Sequence, residues 1–97
     1  MELKISPRIL TKLRDQHRVT QQEVAECFAN RWGKFFTDSR HDHQTNPPTY
    51  WFVSETDQGR MLKVIFVRHP EFFAIKSAYD PEDGSDALYE RLMKEVK

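Results

Sequence analysis

Cysteine is nearly missing from this chain: Cys27 stands alone, so neither an internal disulfide nor a cysteine-based zinc site can form. No stretch approaches 18 uninterrupted apolar residues, which excludes a helical membrane span. Three glycines and five prolines are too few for a collagenous or low-complexity segment, and no internal repeat is visible. Neither sign of charge is in excess: 15 Lys and Arg balance 15 Asp and Glu, so the total neither demands nor forbids a nucleic-acid partner. The opening Met1-Glu2-Leu3-Lys4 lacks the apolar run of a secretory leader, which makes the cytoplasm the expected compartment.

What is present suits one small globular unit. At 97 residues, 38% apolar and 12% aromatic, the chain can build a single core, and residues 1–97 are expected to form one domain. The charge is distributed unevenly, with a net of +3 over residues 1–40, zero over 41–79 and −3 over 80–97. The basic end is the one suited to an anion.

Ser6-Pro7 has the form of an N-cap followed by proline at the first helical position, and it predicts a helix from Pro7 to about Gln16. Ile9, Leu10, Leu13 and His17 share its inner face. Thr20 and Glu23 match a capping box, flanked by a Val19–Val24 staple, and predict a second helix with Val24, Cys27 and Phe28 inward, ending near Asn30 or Gly33. Aromatic and β-branched residues then predict four strands, Lys34–Asp38, Tyr50–Glu55, Met61–Arg68 and Phe72–Tyr79, with a short one possible at Leu3–Ile5. Turn chemistry at residues 56–60 and 69–71 makes the sheet mainly antiparallel. Asp80-Pro81 repeats the cap-plus-proline device before a terminal helix with Leu88, Leu92 and Val96 as its apolar stripe. The expected class is α+β: two N-terminal helices, a four-stranded sheet and a C-terminal helix.

Two helices followed by an antiparallel sheet resemble the RelE/ParE-like small toxin superfamily. The segment Leu13-Arg14-Asp15-Gln16-His17-Arg18-Val19 is similar to the Leu-x-x-x-His-Gly-Val of its BrnT-type ribonuclease toxins, with Arg18 in place of the glycine. Gly59-Arg60-Met61-Leu62-Lys63-Val64 resembles their Gly-Arg-x-Leu-x-Val strand start, and Ile75-Lys76-Ser77-Ala78-Tyr79 their Ile-x-Ser-Ala-Arg strand, with Tyr79 in place of the terminal base. The resemblance implies a metal-independent endoribonuclease acting on RNA without a cofactor, held in check by a small antitoxin protein. Such chemistry needs a base for a ribose 2′-OH, cations for the phosphorane charge and an acid for the leaving oxygen.

Arg60 can pair bidentately with a phosphate, and Lys63 and Lys76, each within an apolar strand, can add positive charge. The alternative places all three on the solvent face of a one-sided sheet, with Lys63 in the parity of Met61 and Ile65, and Lys76 in that of Ala74 and Ala78. Tyr79 is a candidate acid, Glu55 a candidate base beside Arg60, and His43 a candidate acid or base. Trp51, His17 and Arg40 are candidate RNA contacts, although an aromatic such as Trp51 also suits a core and His17 a helix C-terminus. His41-Asp42-His43 has metal-ligand spacing but lacks a firm third ligand, and no metal is expected.

Two competing readings remain. A non-enzymatic interaction module on the same fold would use the polar loop from Ser39 to Pro48 as its recognition surface. The run from Asp42 to Thr49 followed by Trp51-Phe52 also resembles short bacterial chains labelled ADP-ribosyl-(dinitrogen reductase) hydrolase, but that chemistry uses a carboxylate-bound metal pair, and this chain has no comparable acidic cluster outside its terminal helix. On the ribonuclease reading, Arg60→Ala abolishes cleavage and leaves the thermal midpoint unchanged; loss of both would make Arg60 structural.

Overall fold

The computed structural model describes residues 2–37, 48–82 and 84–95. A short strand β1 (Glu2–Lys4) leads into helix α1 (Pro7–Lys12), which widens into π-helical turns over Leu13–His17. Helix α2 (Gln21–Ala29) follows, then strands β2 (Phe36–Thr37), β3 (Thr49–Glu55), β4 (Met61–Arg68) and β5 (Phe72–Tyr79), and helix α3 (Ser85–Glu95). The class is α+β, but the sheet has five strands in the order β1-β5-β4-β3-β2 and is mixed, because β1 lies parallel to β5 at one edge. The expected first strand, from Lys34, shrinks to Phe36–Thr37 among the described residues.

Local chemistry explains the helix starts. The Ser6 hydroxyl accepts from the Ile9 amide at 3.2 Å. At α2 the Thr20 hydroxyl accepts from the Glu23 amide at 3.1 Å while the Glu23 carboxylate accepts from the Thr20 amide at 3.0 Å, which completes the capping box. The third helix departs from expectation. It begins at Ser85, after Gly84 with φ +85°, and not at Asp80-Pro81, because the Asp80 carboxylate is engaged elsewhere by Arg60. Its inward face is centred on fully buried Tyr89 with Leu92 and Met93 beside it, while Leu88 turns outward. Val96 lies outside the described residues.

The sheet is covered on both faces. On one face Phe28 of α2 meets Phe35, Phe52, Phe66 and Phe73 with ring centroids 4.7 to 6.1 Å apart, and Leu13, Val19, Val24 and Cys27 complete that core. Edge-on aromatic pairs of this kind contribute about 0.5–1.5 kcal/mol each beyond their buried area. On the other face Tyr89 packs against Phe36 and Trp51 at 5.4 and 5.6 Å. The one-sided sheet of the alternative reading is thereby corrected for Lys63, which lies on the Trp51 side and is only 2% exposed.

β5 also departs from strict alternation. Ser77 pairs with Ile65 and Ile75 with Phe66, so Lys76 is bulged out without an opposite residue on β4. Ala78 is therefore buried on the helix-pair face while Ala74 lies on the other, and the parity assigned to Lys76 does not hold.

Tyr89 is fixed at the hydroxyl end of its ring. Its hydroxyl donates to the Lys34 carbonyl at 2.6 Å, and a methyl group on Gly33 would stand 2.6 Å from the same hydroxyl and 2.9 Å from Met93 Sδ. Gly33→Ala is expected to cost about 1–3 kcal/mol in chemical denaturation, with part of the loss recovered when Tyr89→Phe removes the hydroxyl. Unchanged stability in Gly33→Ala alone would show that the ring is free to move.

Burial also sets an alkaline limit. It pushes the Cys27 thiol from 9.0 up to about 12, with help from the nearby Glu23 and Glu26 charges, and the Tyr89 phenol from 10.0 up to about 12. The unfolded chain loses these protons first, so the stability they confer is intact below about pH 9 and is lost as the pH rises toward 12. Denaturant midpoints are expected to fall across that window, and to fall less steeply in Cys27→Ala.

Candidate functional site

The π-helical turns after α1 decide the geometry of the site. Leu13 stays in the core, and its carbonyl accepts from the amides of both Arg18 and Val19, the latter at 2.9 Å. Between them Arg18 adopts the left-handed conformation, with φ +53°. That is the position of the glycine in the toxin segment, and a non-glycine residue is strained there by about 1 kcal/mol. The reversal leaves the carbonyls of His17 and Arg18 free to meet Arg60 at the head of β4.

Arg60 is bound on every side. Nε and Nη2 donate to Asp80 Oδ1 and Oδ2 at 3.2 and 3.1 Å, a bidentate pair. Nη1 donates to the Arg18 carbonyl at 2.7 Å and to Glu23 Oε2 at 3.2 Å, and Nη2 to the His17 carbonyl at 3.0 Å. These bonds occupy all five N–H donors of the guanidinium. Its pKa is raised further, chiefly by the hydrogen bond to Asp80. Arg60 thus ties together the end of the π-helical turns, the start of α2, the head of β4 and the end of β5.

Beside this clamp a cleft of about 550 Å³ opens, lined by His17, Arg18, Arg60, Tyr79, Asp80 and Glu82 together with Gln16. The His17 and Tyr79 rings stand 5.4 Å apart. Behind Tyr79, Lys63 is its register partner on β4, and the Lys63 ammonium lies 5.9 Å from the Tyr79 ring and 5.0 Å from the Trp51 ring. The charged lining residues balance, Arg18 and Arg60 against Asp80 and Glu82.

The structure brings His17, Arg60 and Tyr79 to one cleft, with Lys63 and Trp51 in line behind it. Trp51 is 7% exposed between Phe36 and Tyr89, so it is a core ring and not a surface for stacking a base. Lys76 lines a separate cleft beside β1. Glu55 is exposed near Trp32 and Asp57, and the carboxylates that meet Arg60 are Glu23 and Asp80 instead. Arg40 and His43, with the His41–His43 spacing, lie outside the described residues. Among the described residues no group of three His, Cys, Asp or Glu side chains could hold a metal ion, and no helix is long and apolar enough to cross a membrane.

Sequence reasoning missed Glu23, Asp80 and Arg18 as members of this site. The first two read as helix caps in the sequence, and only Glu23 has that role, holding Thr20 and Arg60 with one carboxylate. No family model, no characterised protein and no solved structure matches the chain. Its function must be argued from the chemistry of this cleft.

The expectation that Arg60 is a freely available phosphate ligand is reversed by its partners. Arg60→Ala is expected to destabilise the fold by about 2–3 kcal/mol, because two carboxylates and two carbonyls lose their donor together. Arg60→Lys is expected to recover less than half of that, since a three-donor ammonium cannot span the same set. An unchanged melting midpoint for Arg60→Ala would refute the clamp.

Proposed function

We propose that this chain is a toxin-like, metal-independent endoribonuclease of the RelE/ParE-like, BrnT-type kind, acting on single-stranded RNA and controlled by a small antitoxin protein. The observation that carries the reading is the contact of the His17 imidazole with the Tyr79 phenol in an open cleft, with the Lys63 ammonium behind the phenol. An imidazole, a phenol and fixed positive charge supply the groups that transesterification of RNA requires.

On this reading neutral His17 takes the proton from a ribose 2′-OH, whose oxygen attacks the adjacent phosphorus. The bond from phosphorus to the 5′-oxygen breaks, a 2′,3′-cyclic phosphate forms, and the Tyr79 hydroxyl gives its proton to the leaving oxygen. Exposed Arg18, at the lip of the cleft, holds the phosphate. Arg60 acts indirectly: it fixes the carbonyls of His17 and Arg18 and so sets where both side chains emerge.

A second reading, an interaction module without catalysis, is favoured by the saturated donors of Arg60 and the balanced charge of the cleft. Cleavage of a labelled single-stranded RNA in EDTA separates the two. The enzyme reading expects EDTA-resistant cutting that falls by about 10²–10⁴-fold in His17→Ala, with the thermal midpoint unchanged. Tyr79→Phe should also cut poorly. No cutting by the unmodified protein leaves the interaction module standing.

A further inference from the structure

A second cleft, of about 540 Å³, opens on the opposite side of α2 from the Arg60 clamp, between that helix and the β1, β5 and β4 end of the sheet. Phe28, Phe35, Phe73 and Leu3 form its apolar part. Besides Phe28, the helix contributes only the small side chains of Ala25 and Ala29, which keep the cleft open. Among the described residues its charged lining is Arg31 and Arg68, with no acidic residue.

These two arginines differ from Arg60. The Arg31 guanidinium carbon lies over Phe35, 4.1 Å from the ring centroid, and Arg68 is the register partner of Phe73 at the end of β4. Both are exposed, and neither forms an ion pair with a described carboxylate. A cleft of this volume, lined in about equal measure by apolar and polar surface, falls in the size range of small-molecule sites, about 300–1,000 Å³. A purely apolar ligand would leave both guanidiniums unused, and a bare inorganic anion would leave the three phenylalanine rings wet.

We propose that this cleft binds a small amphiphilic carboxylate, an acid with an aromatic or compact alkyl body. The body lies on Phe28 and Phe73, and the carboxylate accepts from Arg31 and Arg68. The site does not depend on the ribonuclease reading, because it shares no lining residue with the His17 cleft.

The test uses 1-naphthoate titrated into the ¹⁵N-labelled protein and followed by amide shifts. Saturable shifts are expected at Ala25, Ala29, Arg31 and Phe73, with a Kd of about 0.1–1 mM for a ligand of this size. The neutral alcohol 1-naphthalenemethanol is expected to bind about tenfold more weakly, and Arg31→Gln and Arg68→Gln each to weaken naphthoate by about tenfold at an unchanged thermal midpoint. The proposal is overturned by the absence of saturable shifts up to about 10 mM naphthoate. Equal affinity for the alcohol, or shifts that gather at His17 and Tyr79, overturn it as well.

Discussion

A guanidinium has five donors in a rigid fork, and the fold of this chain is arranged so that Arg60 uses all of them. The residues it joins are far apart in sequence: His17 and Arg18 at the chain reversal, Glu23 in the first turn of α2, and Asp80 just beyond β5. Leu13, Val19, Val24 and Cys27 bury the helix pair against the sheet, and Arg60 ties the ends of these segments to one another. The left-handed conformation at Arg18 is tolerated because its carbonyl gains a 2.7 Å bond to Arg60. The clamp places the His17 ring over Tyr79, so the geometry of the cleft is a property of the fold and not of the cleft residues alone.

The second dependency is the covering of both sheet faces. Phe28 brings the helix pair down on one side and Tyr89 brings α3 down on the other. Lys63 is buried because it faces the α3 side, where Trp51 and Tyr79 offer their π-faces to its ammonium. A charge in such a position is costly to desolvate, and the two rings on either side of the ammonium offset part of that cost.

Much of this was legible in the residues. The limits of β4 and β5 were readable to the residue, because Gly59 and Pro70 punctuate an otherwise continuous apolar run. The capping box at Thr20 and Glu23 fixed the start of α2 in the same way. What could not be read was long-range. Nothing local distinguishes an arginine that waits for phosphate from one that already has two carboxylates, since Glu23 and Asp80 reach Arg60 only after the sheet has formed. The side chain of Lys63 reads as a solvent-face residue until α3 is known to turn on Tyr89 rather than Leu88. The parallel pairing of β1 with β5 joins strands from opposite ends of the chain, a contact that periodicity does not carry.

The bulge at Lys76 divides β5 into two frames. Upstream of it Phe73 and Ile75 face the helix pair; downstream Ala78 does so, and Tyr79 is turned to the other side. One uncounted residue is what separates a strand end carrying a small alanine inward and a phenol outward from one carrying the reverse. Were Lys76 drawn into the ladder and the bulge lost, β5 would keep its composition and its turns, yet the Tyr79 ring would be driven into the space that Ala78 fills without strain. The chemical identity of the cleft is thus encoded less by the residue at position 79 than by the spacing that precedes it.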